Sequence, residues 1–165
     1  MSDRLIPIRF RLNGQECEAE VKPHELLIDC VRDRFGLTGT KRSCDIEICG
    51  ACTVLLNGKA VSSCALLAFE ADGKELLTIE GLAQGAKLHP LQESFIECGG
   101  FQCGFCTPGM ILLAKALLDE NPNPTWKEAQ EYMDANLCRC TGYQMIIESI
   151  LNAAEKLNRA RPGNK

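Results

Sequence analysis

The chain has 165 residues, of which 45% are hydrophobic and 24% charged, and its formal net charge is −4. This composition is typical of a packed globular protein with room for one ordinary domain or two small ones. The sequence has no basic stripe interleaved with aromatic residues, which argues against a nucleic-acid partner. No apolar run reaches the roughly 18–20 residues that span a bilayer, so we expect no membrane span.

Eleven cysteines are an unusual number for a chain of this length. A disulfide scaffold would suit a short secreted protein. Here the number is odd, and residues 1–9 have neither an apolar secretory core nor a twin-arginine signal. We therefore expect a cytoplasmic protein whose cysteines serve metal or redox chemistry.

The first half of the chain is predicted to consist mostly of strands. Asn-Gly pairs at residues 13–14 and 57–58 each separate two strand-like runs, which is a strong hairpin signal. Apolar residues recur at helical spacing over residues 25–35, and Gly36 would end that helix. Residues 36–52, rich in glycine and cysteine, are predicted to be a loop. The predicted strands cover residues 6–12, 15–21, 53–56, 59–63 and 75–79.

The second half has the apolar spacing of helices. Thr107 and Pro108 stand in the order preferred at a helix start, with an N-cap residue type before a proline at N1. Residues 125–128 form a capping box, and residues 141–144 suggest another. The predicted helices cover residues 90–98, 107–120 and 125–135, and a fourth after Thr141 would use Ile146, Ile147, Ile150, Leu151 and Leu157 as its core face.

Strands followed by helices predict an α+β protein with two segregated units rather than alternating βαβ units. We place the boundary near Gly81, which divides the chain into units of residues 1–80 and 81–158. Residues 159–165 are predicted to be a disordered tail.

A first group of cysteines has the spacing Cys-x4-Cys-x2-Cys, formed by Cys44, Cys49 and Cys52, and Cys64 follows after eleven more residues. This is the plant-type ferredoxin spacing for a 2Fe–2S cluster, with a closer fourth ligand. Gly50 would let backbone N–H groups approach the sulfurs without an intervening Cβ. A structural zinc site with four thiolates is the alternative, although the order hairpin, helix, cysteine loop, hairpin favours iron and sulfur.

A second group combines Cys103 and Cys106, in a Cys-x-x-Cys motif, with Cys138 and Cys140. Each pair precedes a predicted helix, where partial positive charge and free backbone N–H groups favour thiolates. Three interpretations remain open here: a second 2Fe–2S cluster, a zinc site, or a redox dithiol of Cys103 and Cys106 alone. The cluster is favoured because it uses all four cysteines, whereas a dithiol leaves two unexplained and lacks β-α-β surroundings.

Little else in the sequence suggests chemistry. His24 and His89 are the only histidines, and each is interpreted as a surface or capping residue. Cys17, Cys30 and Cys98 are interpreted as small buried hydrophobic residues. No phosphate loop or dinucleotide fingerprint is present. The residues therefore support an electron relay, with no substrate chemistry on this chain.

Three motifs stand in order along the chain: Cys-Asp-Ile-Glu-Ile-Cys-Gly-Ala-Cys-Thr-Val (44–54), Gln-Cys-Gly-Phe-Cys-Thr-Pro-Gly-Met (102–110) and Asn-Leu-Cys-Arg-Cys-Thr-Gly-Tyr (136–143). Together they resemble one family, the small iron–sulfur subunit of the molybdenum hydroxylases, which include xanthine dehydrogenase, aldehyde oxidase and carbon monoxide dehydrogenase. The resemblance covers about residues 5–155. One departure lies at residues 45–48, where the family often has an additional glycine and this chain has Asp-Ile-Glu-Ile. This departure would affect the cluster potential or the contacts with a partner.

The resemblance implies an N-terminal plant-type ferredoxin-like (β-grasp) domain followed by a C-terminal four-helix 2Fe–2S domain. It also implies that Gln102 and Cys140 lie near the molybdopterin of a partner subunit. The implied ligands are Cys44, Cys49, Cys52 and Cys64 for an outer 2Fe–2S cluster, and Cys103, Cys106, Cys138 and Cys140 for an inner one.

The implied function is that of an electron-transfer subunit in a molybdopterin-dependent hydroxylase or dehydrogenase complex. The chain would relay single electrons between the molybdenum cofactor of a large subunit and a flavin on a medium FAD subunit, or another acceptor. A dimer of heterotrimers is the expected assembly. The alternatives are a free-standing ferredoxin-type carrier and a two-zinc structural adaptor.

Overall fold

The computed structural model describes residues 4–160 of the chain. The N-terminal half forms a five-stranded sheet with the order β2-β1-β5-β3-β4, in which β1 and β5 are parallel and the other neighbours antiparallel. Both predicted hairpins are confirmed, and Asn13 and Asn57 adopt left-handed φ angles of 51° and 49° at their turns. The strands are β1 Ile6–Leu12, β2 Gln15–Val21, β3 Thr53–Leu56, β4 Lys59–Ser62 and β5 Glu75–Leu77.

The helix predicted over residues 25–35 starts later than its apolar spacing indicates, and most of it is π-helical rather than α-helical. Helix α1 covers Leu27–Asp29 and continues as a π-helical turn over Cys30–Arg34. It starts late because the backbone at residues 25–27 pairs with residues 66–68: the Glu25 carbonyl accepts from the Ala68 amide at 2.7 Å, and the Leu27 amide donates to the Leu66 carbonyl at 2.8 Å. Tertiary pairing therefore overrides local helix spacing here.

The C-terminal half is helical, as predicted. The capping box of α4 is confirmed, because the Thr125 hydroxyl oxygen accepts from the Glu128 amide at 3.3 Å and the Glu128 carboxylate accepts from the Thr125 amide at 2.7 Å. Two details of the prediction are wrong. Cys106, not Thr107, is the N-cap of α3, and no capping box forms at Thr141, because α5 starts only at Gln144. The helices are α2 Pro90–Glu97, α3 Thr107–Glu120, α4 Trp126–Met133 and α5 Gln144–Ala160.

The two halves have separate hydrophobic cores that meet at strand β3. Val54 and Leu56 face the core beneath the sheet, while Leu55 packs against Leu112 and Ala116 of α3. This is why all four residues of β3 are buried. Strand β3 directly follows the first cysteine loop, so this contact brings the cysteine loops of the two halves together.

Two further predictions concern the ends of the chain and membranes. Helix α5 includes Arg159 and Ala160, the first two residues of the predicted tail, and residues 1–3 and 161–165 lie outside the described residues. Over residues 4–160, no helix is both long and apolar enough to cross a membrane.

Candidate metal centres

The first cysteine group is arranged as two pairs between α1 and the β3–β4 hairpin. Cys52 and Cys64 are buried and pack together with Ile28 of α1. Cys44 and Cys49 are half-buried, and the Cys49 amide lies 3.4 Å from the Cys44 sulfur. The set therefore has a buried end and an end near the surface.

Backbone N–H groups of the loop between Cys44 and Cys49 point at the sulfurs. Hydrogen bonds from the amides of Ile46, Cys49 and Ile48 lower the pKa of Cys44 to about 6. Burial raises the pKa of Cys64, at the other end of the set, to about 11. Amides placed in this way stabilise an anionic thiolate cluster and influence its potential.

The loop between Cys44 and Cys49 has a strained backbone, which accompanies the inward direction of its amides. Asp45 and Glu47 hold left-handed φ angles of 56° and 59°, which non-glycine residues rarely adopt. As the amides turn inward, the side chains of Ile46 and Ile48 turn outward and are 66% and 60% exposed. The departure from the family pattern therefore puts two isoleucines on the surface above the first cysteine group.

All four cysteines of the second group line one cavity of about 380 Å³, and Cys49 of the first group lines it too. The sulfurs of Cys103 and Cys140 lie 3.4 Å apart at the exposed side. Cys106 and Cys138 form the deeper side, where they pack against the helical core, and burial raises the pKa of Cys106 to about 12.

The cysteines of each group lie in two pairs, an arrangement that matches the two irons of a 2Fe–2S cluster. A structural zinc site would gather four ligands around a single ion. A 2Fe–2S cluster instead takes two protein ligands at each of its two irons, so two pairs of thiolates can hold it.

Only one half of the second group lies at a helix start, contrary to prediction. Cys106 is the N-cap of α3, but residues 141–143 separate Cys140 from α5. Cys138 is supported by Thr141 instead, whose hydroxyl donates to the Cys138 sulfur at 3.2 Å and whose backbone amide donates to it at 3.3 Å. Burial tends to raise the pKa of Cys138, but these hydrogen bonds outweigh it and the pKa lies below its usual value.

Two direct hydrogen bonds join the loops of the two groups. The Leu137 amide donates to the Cys49 carbonyl at 2.9 Å, and the Asn136 side chain donates to the Gly50 carbonyl at 3.0 Å. A Cβ on Gly50 would lie 2.4 Å from the Ala135 carbonyl oxygen. Gly50 is therefore needed for close contact with the second loop, a role that its sequence position did not suggest.

The remaining predicted residues are distributed as follows. Gln102 is exposed beside Cys103. Cys30 is fully buried, as predicted, and burial raises its pKa to about 11, whereas Cys17 and Cys98 are only half-buried. His24 is exposed, and His89 caps α2 by accepting the Leu91 amide at 3.2 Å.

Sequence reasoning missed four residues that support the cysteine loops, although all four lie within the 136–143 motif. They are Asn136, Leu137, Thr141 and Tyr143.

Comparison with known proteins identifies the two halves. A family described as "2Fe-2S iron-sulfur cluster binding domain" matches residues 10–83, and one described as "[2Fe-2S] binding domain" matches residues 78–151. The nicotinate dehydrogenase small FeS subunit of Eubacterium barkeri is 48% identical over 151 residues, which cover 92% of this chain and 96% of that protein.

Solved structures agree with this assignment. The quinoline 2-oxidoreductase structure from Pseudomonas putida 86 matches with a TM-score of 0.91 and 45% identity, over 96% of this chain and 99% of that one. The aldehyde oxidoreductase of Desulfovibrio gigas matches with a TM-score of 0.90 and 41% identity, over 95% of this chain but only 18% of that one. The chain, with its α+β fold and its two 2Fe–2S binding domains, belongs to the small iron–sulfur subunits of the molybdenum hydroxylases, which act in oxidoreductase complexes.

Proposed function

We propose that this chain relays single electrons between the molybdenum cofactor of a large partner subunit and a flavin, or another acceptor, through two 2Fe–2S clusters. One observation carries the proposal: the second cysteine group and Cys49 of the first line the same cavity. The proposed ligands are Cys44, Cys49, Cys52 and Cys64 for the outer cluster, and Cys103, Cys106, Cys138 and Cys140 for the inner one.

The chain's part in this function is to hold and connect the two sites. A bound 2Fe–2S cluster supplies a centre whose reduction potential responds to the hydrogen bonds and solvent around its sulfurs. The chain provides these bonds through the amides near Cys44 and through Thr141 near Cys138. The bond from the Leu137 amide to the Cys49 carbonyl gives a short connection between two proposed ligands, because Leu137 directly precedes Cys138.

We assign the surface around the inner site to the large molybdenum-cofactor subunit. Gln102, Cys103 and Cys140 are exposed there, within reach of a partner's molybdopterin. Large apolar side chains are exposed nearby, and we take them together as an apolar patch, the kind of surface through which a protein binds a partner. The exposed apolar residues are Ile96, Phe101, Phe105, Leu137 and Met145.

The comparison with the Desulfovibrio gigas protein supports this occupant. There the matching region is 18% of one longer chain, so further polypeptide is present in the same molecule. A free-standing carrier would leave the patch in water, which makes that alternative less favourable. We further propose that Ile46 and Ile48, above the outer site, contact a medium FAD subunit. We also propose that the complex is a cytoplasmic dimer of heterotrimers. Within this chain, the proposed boundary between the two domains lies near Gly81.

The experiment that tests the function is purification of this chain from cells that also express its genomic neighbours. We expect it to copurify with chains that carry molybdopterin and flavin, and the dithionite-reduced complex to show two distinct rhombic 2Fe–2S signals in EPR. A colourless protein containing zinc would overturn the cluster assignment. A brown protein with both signals but no partner chain would favour the free-standing carrier instead.

A further inference from the structure

Asn136 is in contact with both cysteine loops and is fully buried. Its side-chain amide donates to the Gly50 carbonyl at 3.0 Å, next to Cys49 of the outer site. Its own carbonyl accepts the Tyr143 hydroxyl at 3.0 Å, and that hydroxyl accepts the Cys138 amide at 2.8 Å. Asn136 is thus linked by hydrogen bonds to the backbone beside a proposed ligand of each cluster.

The surroundings of Asn136 are packed without spare room. A Cβ on Gly109, in the first turn of α3, would lie 2.6 Å from the Gly50 carbonyl oxygen and 2.8 Å from the Asn136 side-chain nitrogen. A Cβ on Gly50 would lie 2.9 Å from the Asn136 Cα. Two glycines therefore allow three backbone segments to meet at this side chain.

Asn136 occupies this position at an energetic cost. Within residues 4–160 its side-chain oxygen is buried and has no hydrogen-bond partner. A buried polar atom without a partner destabilises a fold, so an apolar residue would pack here more favourably unless the donated hydrogen bond has a role. Among residues 4–160, the side chain of Asn136 makes one hydrogen bond, and this bond joins the loop of the first cysteine group to that of the second.

We propose that Asn136 is a positioning residue that holds the outer cysteine loop against the inner one, and so sets the rate of electron transfer between the two clusters. It does so by keeping the Cys49 carbonyl in place for the hydrogen bond from Leu137. This inference rests on the proposed function, because it requires a cluster at each cysteine group.

The test uses the purified complex with Asn136→Ala, and Asn152→Ala as the matched control. Asn152 also makes a side-chain hydrogen bond, in which its oxygen accepts the Ser94 hydroxyl at 2.8 Å, but it joins α5 to α2 away from the loop junction. Three quantities are measured: iron per chain, the magnetic interaction between the two reduced clusters in EPR, and the rate at which an electron passes between them in rapid-mixing experiments.

We expect Asn136→Ala to keep its iron, to show a weaker magnetic interaction and to transfer electrons severalfold more slowly, while Asn152→Ala resembles wild type. Gly109→Ala should change both quantities in the same direction, because its methyl group displaces the Gly50 carbonyl without removing a polar group. If Asn136→Ala does not retain iron, the magnetic interaction and the electron-transfer rate of Gly109→Ala decide whether the proposal holds.

Iron-replete variants with wild-type magnetic interaction and wild-type rate would overturn the proposal, as would an equal change in Asn152→Ala. A wild-type protein without two clusters would instead overturn the proposed function itself, so the two failures can be distinguished.

Discussion

The amide of Leu137 donates a 2.9 Å hydrogen bond to the carbonyl oxygen of Cys49. The two residues are 88 positions apart in the sequence. Cys49 is a proposed ligand of the outer cluster, and Leu137 directly precedes Cys138, a proposed ligand of the inner cluster. The contact between the two halves of the protein is therefore formed by the same loops that carry the cysteines. Any change to the packing of these loops should affect both stability and electron transfer.

The assignment of the inner ligands predicts a selective effect of cysteine substitution. Cys103→Ser in the purified complex should remove or strongly alter one of the two rhombic EPR signals and stop substrate-driven reduction of the final acceptor. Cys98→Ser is the matched control, because Cys98 is half-buried at the end of α2 and outside both groups. Intact turnover in Cys103→Ser would mean that electrons do not pass through the inner site.

Gly50→Ala should destabilise the protein more than the same change at another left-handed glycine. Gly58 has a φ of +78° and no atom within 4 Å of an added Cβ, so Gly58→Ala adds only backbone strain of about 1–2 kcal/mol. Gly50 has a φ of +66° and a Cβ there would also meet the Ala135 carbonyl oxygen at 2.4 Å. Overpacking of this kind costs a further 1–3 kcal/mol or so.

Urea unfolding of both glycine variants, followed by circular dichroism, measures the difference. Equal losses of unfolding free energy in Gly50→Ala and Gly58→Ala would contradict the close contact between the loops.

Thr141→Val should lower the reduction potential of the inner cluster. The Thr141 hydroxyl donates to the Cys138 sulfur at 3.2 Å, and such a bond stabilises the more negative, reduced state. A bond of about 0.5–1.5 kcal/mol corresponds to roughly 20–60 mV for a one-electron centre. Redox titration monitored by EPR gives the potential, and Thr141→Ser, which keeps the hydroxyl, should remain near wild type.

The cap of α2 predicts a dependence of stability on pH. The neutral His89 ring accepts the Leu91 amide, and burial, followed by the charge of Lys115, lowers the pKa of His89 below its ordinary value. A histidine whose pKa is lowered in the folded state stabilises the protein above its unfolded pKa of about 6.5. This stabilisation is lost as the pH falls through the folded-state pKa.

His89→Asn keeps a capping acceptor that does not titrate, so its unfolding free energy should decline less than that of wild type between pH 7 and the acidic range. The difference should be within about 0.5–2 kcal/mol, the usual contribution of an N-cap. Thermal unfolding across this pH range provides the measurement, and His24→Asn, at an exposed histidine, is the control. Parallel pH profiles for wild type and His89→Asn would show that the ring does not serve as the cap.

Much of the fold could be predicted because it depends on local residue chemistry. Asn13 and Asn57 precede glycines and therefore specify tight hairpins, and Thr125 with Glu128 specifies the start of α4. The predicted start of the helix over residues 25–35 was wrong, because the backbone of residues 25–27 pairs with residues 66–68, about forty positions later. Similarly, Thr141 resembles a cap in the sequence but donates its hydroxyl to the Cys138 sulfur.

The spacing of the cysteines predicts the three-cysteine loop of the first group and the two close pairs of the second, because ligand spacing within a short segment is local. The relation between the groups is not local, and only tertiary packing decides it. The packing of Leu55 in β3 against Leu112 in α3 brings the two halves together. Close contact between the cysteine loops then depends on Gly50, Gly109 and Asn136. Glycine and asparagine have several local uses, so their role at this junction becomes visible only when residues distant in sequence are seen in contact.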